Sequence, residues 1–515
     1  MSEAPVPAKK RRLPDAVTGK APSRMAQSFR PGEPRESFKS KLASKLEATK
    51  QQQQVQNTEV KLSTSQHRVL QTIMQRKSVF FTGAAGSGKS YVLTVLREVL
   101  EQLGQSHKVA FTAPTGVAAC NIRGLTIHSW SGVGHGLDPV DQLSAQVSRN
   151  RVAAQRWRET EILVIDEISM LSAELFEKLS FIGTRVRNDP RPFGGLQLIV
   201  CGDFFQLPPI GVGKNTRFCF ESPAWHAMFG GPEGMVLLDK IFRQQNDSQL
   251  MRILNDLRVG VVSIEAQRVL GDKVRQAGQT DCRPGAVQPT RLFSTNKDVD
   301  AYNTAQMAAL ARASVGEVYR YEAIDEGSEP YLNQLRSGTK APAVLELRVG
   351  AQVMLLKNLS TVRGLVNGAR GAVVGFAHSG SEGNRYVKIP LVRFKVVLGG
   401  TSVREEVVAV EQDVWDIQVG DRVVASRVQI PLMLAWAISI HKSQGMTIPL
   451  LDVSFNHIFE YGQGYVALSR ATSLQGLTLR SFKPSDIKVH ARVQEFYTYI
   501  TAFTSTSASA SASAS

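Results

Sequence analysis

Short, wholly apolar runs alternate along this chain with stretches in which apolar residues recur every three or four positions. Residues 78–82 (SVFFT) form the first such run, and residues 91–103 then repeat apolar positions at helical spacing. Residues 109–112, 162–165 and 198–201 are again short and apolar, as expected of strands covered on both faces. Strands of this kind alternating with helices predict an α/β fold with a parallel sheet. A second α/β region begins near Met235 and resumes after Gln429. Between these halves the texture changes. Residues 345–357 read as strand, turn, strand, and Asn367–Gly368 and Gly399–Gly400 are hairpin-turn signals. An antiparallel β insert closing into a small barrel is expected there.

The expected layout is a basic, disordered tail over residues 1–60 and a first α/β domain over 61–234. A second such domain spans 235–342 and 429–495, split by the insert at 343–428, and residues 496–515 end in a Ser/Ala tail. The N-terminal 60 residues hold 12 Lys and Arg against 6 Asp and Glu, with few large apolar groups to offset their ordering entropy. Disorder is likewise expected from Thr504 onward. The 515 residues leave room for about three or four domains. A formal charge of +16 points to an anionic partner, nucleic acid before an acidic membrane surface. The longest apolar stretch, residues 430–440, is broken by Pro431 and Ser439, whereas a membrane span needs about 20 apolar residues, so a soluble protein with no membrane partner is expected. Cys120, Cys201, Cys219 and Cys282 fit neither a zinc site nor a disulfide framework.

The most specific chemistry follows the first apolar run. Gly83, Ala84, Ala85, Gly86, Ser87, Gly88, Lys89 and Ser90 spell a phosphate-binding loop between a strand and a helix. Backbone N–H groups and the helix N-terminus can cradle phosphate oxygens, with Lys89 reaching the β- and γ-phosphates of ATP and Ser90 on magnesium. The run ending in Asp166 and Glu167 supplies the matching acids: Asp166 to hold Mg2+ and Glu167 to polarise the attacking water. Gln206, in GDFFQLPP (residues 202–209), stands where it can sense the γ-phosphate. A buried amide with local partners is the plainer reading of that residue.

These pieces occur in a recognisable order. GAAGSGKS is followed by APTGVAACNIRGLTIHSW (113–130), VIDEISM (164–170), GDFFQLPP, FRQ (242–244), WAISIHKSQGMTI (436–448) and YVALSRA (465–471). The chain resembles superfamily-one DNA helicases, and among them the PIF (petite integration frequency) family of 5′-to-3′ helicases, over residues 62–482. WAISIHKSQGMTI and SMLSAELFEKL (169–179) are the most specific stretches. Ser172, where the family often has an acid, and Gly183, expected to weaken the helix end, are small departures. The resemblance implies two RecA-like motor domains, an ATP-dependent helicase reaction, and service in genome maintenance. It also implies that Gln66 reads adenine and that Arg243 and Arg470 are arginine fingers from the second motor domain. Two fingers in one chain favour a monomeric motor over a ring.

A motor that ratchets along single-stranded or tailed duplex DNA needs a phosphate grip in each motor domain. Thr115, Gly116 and His128 are the candidates in the first. His441, Lys442 and Ser443 are those in the second, with Tyr465 and Arg480 along the same groove. Phe204 and Phe205 are candidates for base stacking, with core packing close behind as the alternative. The β insert is a candidate sleeve over the strand. Lys9 to Arg12 (KKRR) beside Pro14 read as a nuclear import signal, with a mitochondrial presequence as the rival. Two other functions remain open: an RNA helicase or non-unwinding translocase, and an ATP-switched assembly factor.

Overall fold

A computed structural model describes residues 62–209, 217–231, 234–277, 288–313, 316–360, 363–378, 388–398, 402–419, 422–455, 458 and 460–512. The N-terminal tail, the Gly399–Gly400 turn and Cys282 lie outside the described residues.

The first motor domain is a six-stranded parallel sheet. Its order runs Leu125–Thr126, Val109–Ala113, Ile162–Ile165, Gln197–Cys201, Val79–Thr82, Met235–Leu237. The apolar runs follow from burial on both faces. Phe80 packs into the aromatic core on one side, and Val79 and Phe81 pack under the helix Lys89–Gln102 on the other. The last strand corrects an expected boundary. Met235–Leu237 pairs with Val79–Thr82 and belongs to this first sheet, so residue 234 is not the domain's end. Proximity to Val79–Thr82 in space outweighs its distance along the chain.

The second motor domain has four parallel strands: Ala437–Ser439, Thr290–Phe293, Leu451–Ser454 and Leu477–Ser481. Helix Ser248–Arg258 packs its leucines into that core. Antiparallel strands lie between the halves, as expected, but over a wider span than 343–428. Tyr319–Glu322 and Ile324–Gly327 join from upstream, and Leu432–Leu434 from downstream. Five strands form one sheet, ordered Ser402–Ala409, Lys388–Leu398, Arg370–His378, Gln352–Leu355, Leu432–Leu434. No ladder among the described residues joins its two edge strands, so the sheet stays open where a closed barrel was expected.

Helix Ala491–Ala512 is the largest departure from the sequence reading. It crosses the expected boundary at residue 495 and continues through the Ser/Ala run taken for disorder, where alanine's high helix propensity favours it. Its apolar residues dock on the first motor domain. The Phe496 ring stacks 4.1 Å from that of Phe220, and Val493, Tyr497 and Ile500 enter the same core. Gly183 is also reread. The helix Ala173–Arg187 runs through it, and a Cβ there would meet the Phe193 backbone at 2.6 Å, so the glycine serves close packing. Ser172 caps this helix, accepting from the Leu175 N–H at 3.2 Å.

Candidate nucleotide site and strand track

The phosphate loop lies where Val79–Thr82 ends and Lys89–Gln102 begins. It lines a cavity of about 340 Å3, with walls that include Gly86, Lys89, Ser90, Glu167, Gln206, Arg243 and Arg470. Five of the expected catalytic residues therefore converge, from elements of both motor domains. The Lys89 ammonium donates to the Gly83 and Ala84 carbonyls at 2.8 and 3.2 Å, and burial lowers its pKa. The Ser87 hydroxyl is buried without a hydrogen-bond partner among the described residues.

Asp166 is 4% exposed, and its Oδ1 accepts from the Cys201 thiol and the Glu167 N–H, each at 2.8 Å. Burial raises its pKa. Glu167 follows in the left-handed region at φ 50°, which turns its side chain from the strand toward the cavity. Burial, and then the neighbouring charge of Asp166, push the Glu167 carboxyl up to about 7. Its Oε2 is buried and accepts no hydrogen bond among the described residues.

The two arginines face the loop from the second domain's side. Arg243 donates to Thr447 Oγ1 and the Ser469 carbonyl, both at 3.0 Å. Arg470, 1% exposed, donates to the Val466 carbonyl at 2.9 Å and to Ser469 Oγ at 2.8 Å. Neither forms an ion pair among the described residues. Burial lowers Arg243 to about 9, with the charge of Arg470 adding to it, and lowers Arg470 to about 10. Two cations held by dipoles rather than carboxylates leave net positive charge facing the phosphate loop, which suits an anionic ligand.

Gln66 and Tyr465 are placed differently from expectation. Gln66 is at the phosphate loop, but its amide is engaged: Nε2 donates to the Ser87 carbonyl at 3.3 Å and Oε1 accepts from Ser63 N–H at 2.8 Å. It caps its helix and does not line the cavity. Phe242 does line it, and its N–H donates to the Gly86 carbonyl at 2.9 Å. That role was missed, although FRQ was recognised for its arginine. Tyr465 was placed on the DNA groove, yet it is 3% exposed, and its hydroxyl accepts from the Ala85 N–H at 2.9 Å. Burial raises it to about 12. It belongs to the nucleotide side.

The strand candidates divide. Thr115 caps the helix Gly116–Asn121, accepting from the Ala118 N–H at 3.3 Å, and remains partly exposed. The Gly116 backbone meets that of Gly338, at the end of helix Glu329–Gly338, so the β region reaches the first grip. His128 is half-buried, and burial lowers its pKa. His441 approaches Glu460 at 3.4 Å, and Lys442 is exposed with no ion pair among the described residues. Ser443 does not fit the expected role, since it is fully buried and donates to the Ile440 carbonyl at 2.7 Å. Arg480 is instead paired with Asp452 at 2.9 Å. Phe204 and Phe205, each 3% exposed, are core residues.

The model for the PIF1-like helicase family matches residues 61–262, and that for the 2B domain of DNA helicase Pif1 matches residues 330–376. A Pif1 helicase from Candida albicans, known from its crystal structure, is 40% identical with a TM-score of 0.63, the match covering 86% of this chain and 100% of that one. The chain belongs to the PIF1-like helicases. The human ATP-dependent DNA helicase PIF1 is 42% identical over 88% of this chain, which spans just under two thirds (66%) of that relative's length. A Bacteroides Pif1 helicase, solved in complex with ADP-AlF3 and single-stranded DNA, is 27% identical with a TM-score of 0.55, over 87% of this chain and 98% of that one.

Proposed function

We propose that this chain is an ATP-driven DNA helicase that moves along one strand and opens duplexes. The observation that carries the reading is the cleft itself: a phosphate loop on one parallel sheet faces two arginines, without carboxylate partners among the described residues, from the second domain's side. Lys89 and the loop amides hold the phosphates, and Arg243 and Arg470 stabilise charge as the γ-phosphoryl group leaves. Glu167, with its unpartnered oxygen on the cavity, accepts a hydrogen bond from the attacking water. Ser90 and Asp166 would hold magnesium together with phosphate oxygens, and the ion would neutralise charge building on those oxygens. The partnerless Ser87 hydroxyl and the buried Asp166 carboxylate fit such a set.

Because the cleft lies between the domains, ATP draws them together and hydrolysis releases them. Thr115 and Gly116 on one side and Lys442 on the other then take turns on the phosphodiester backbone. Such contacts position a strand without reading its sequence. Movement 5′ to 3′, action as a monomer and a nuclear address rest on the family resemblance, the two arginines in one chain and the KKRR run respectively. Matched duplexes with a single 5′ or 3′ tail, in DNA and in RNA, test the reading with ATP present. Opening of the 5′-tailed DNA duplex is expected. Opening of the 3′-tailed one alone, or of RNA alone, refutes it. Hydrolysis unchanged by single strands would favour an assembly factor instead.

A further inference from the structure

Asp203 is the meeting point of four parts of the molecule. It is fully buried in the loop after Gln197–Cys201, three residues before Gln206. Arg258, the last residue of the second-domain helix Ser248–Arg258, grips it with both arms: Nη2 to Oδ1 at 2.7 Å and Nε to Oδ2 at 3.0 Å. The two side chains are 12% and 0% exposed. Tyr497, on the C-terminal helix, donates its hydroxyl to Asp203 Oδ1 at 3.1 Å, and the Tyr497 hydroxyl oxygen also lies 2.5 Å from Thr82 Oγ1 and accepts from the Phe204 N–H at 3.2 Å. Thr82 is the residue just before the phosphate loop. Gln206 completes the set: its N–H donates to the Asp203 carbonyl at 2.9 Å and its Nε2 to Oδ2 at 3.4 Å.

The guanidinium is also held on its faces. Its carbon lies 4.7 Å from the Phe205 ring centre and 4.9 Å from that of Tyr497. A forked pair with aromatic walls is specific in direction as well as charge, and lysine cannot reproduce it. Burial works to raise the Asp203 carboxyl, but the pair with Arg258 prevails and holds it below its usual range. The pair joins the two motor domains, with its carboxylate shut off from solvent and its guanidinium nearly so.

We infer that Asp203, Arg258 and Tyr497 form a latch that aims Gln206 into the nucleotide cavity when the motor domains are docked. The inference rests on the reading of Gln206 as a γ-phosphate sensor. Neither Arg258 nor Tyr497 lines the nucleotide cavity, so they are positioning residues. When the second domain withdraws Arg258, Asp203 is left buried with one strong donor fewer, and Gln206 loses its fixed neighbour. Domain closure and phosphate sensing thereby become one event. Tyr497 makes the C-terminal helix part of the same device.

A kinetic double-mutant cycle on the full chain tests this. Arg258→Lys is expected to lower DNA-stimulated kcat about tenfold and Tyr497→Phe about threefold, with KM for ATP within about twofold. In a Gln206→Ala background the same changes are expected to add less than about twofold, because the group they position is gone. Equal losses in both backgrounds would overturn the latch, as would a raised KM at unchanged kcat. Tyr497→Phe removes one oxygen only and keeps the test valid if Arg258→Lys fails to fold. Full turnover by Gln206→Ala alone would instead overturn the sensor reading of Gln206.

Discussion

The nucleotide cleft and the strand track are assembled from the same local parts, a parallel strand followed by a tight loop and a helix start, yet they treat polar groups in opposite ways. In the cleft, Lys89, Asp166, Gln206 and Arg470 are buried, and each is oriented by backbone or by another side chain. On the track, Thr115 and Lys442 stay in contact with solvent, and Lys442 is held by no ion pair among the described residues. Desolvation strengthens a charge and fixes it for one transition state. Exposure keeps it soft and tolerant of any sequence that slides past. Under the proposed function, one region discriminates between two charge states of a phosphate, and the other grips any phosphodiester and lets it go.

The sharpest way to break this comparison is to remove a buried cation. Arg470→Ala should cut DNA-stimulated ATP turnover by about a thousandfold or more, the range for a charge that acts on phosphoryl transfer. Nucleotide affinity should move only a few fold, since the loss is concentrated in the transition state. Steady-state hydrolysis alongside nucleotide titration checks both. Turnover near wild type would place Arg470 outside the chemistry and dissolve the contrast.

A smaller change asks to which region Tyr465 belongs. Tyr465→Phe removes the acceptor for the Ala85 N–H and little else. One buried hydrogen bond is worth about 1 kcal/mol, so kcat/KM for ATP should fall about fivefold. Affinity for single-stranded DNA should stay as it was, measured by fluorescence anisotropy without nucleotide. The reverse pattern would return Tyr465 to the track.

Most of the cleft was legible because its signals are local. GAAGSGKS carries the loop and the helix start, and VIDE the strand end and its acids, each in one short string, so the fold that positions them is written beside them. Tyr465 and Ser443 were misplaced because a motif fixes the backbone path, whereas which side chains face solvent depends on what packs over them. Met235–Leu237 and Tyr319–Glu322 escaped for a related reason: each pairs with a strand remote in sequence, and periodicity says nothing about partners. The C-terminal helix was hidden by its composition. Ser and Ala at the end of a chain look like a tail unless Val493, Phe496, Tyr497 and Ile500 are read as one apolar helix face, about two turns long, just upstream.

The smallest expected effect separates exposed from buried within a single turn of chain. Lys442 and Ser443 are neighbours in the short helix Ile440–Ser443, but only Lys442 is exposed. Neutralising one phosphate contact lowers the slope of log affinity against log salt by about one and weakens binding similarly on all sequences. Lys442→Ala should therefore flatten that slope by about one, with a loss of several fold at low salt that fades as salt rises. Ser443→Ala should leave both slope and affinity unchanged, because its hydroxyl is committed to the Ile440 carbonyl inside the fold. Its cost should appear in thermal stability, at about 1 kcal/mol for one lost hydrogen bond. If Ser443→Ala weakens strand binding as much as Lys442→Ala does, the short helix must open to meet DNA, and the track is then as dependent on conformational change as the cleft.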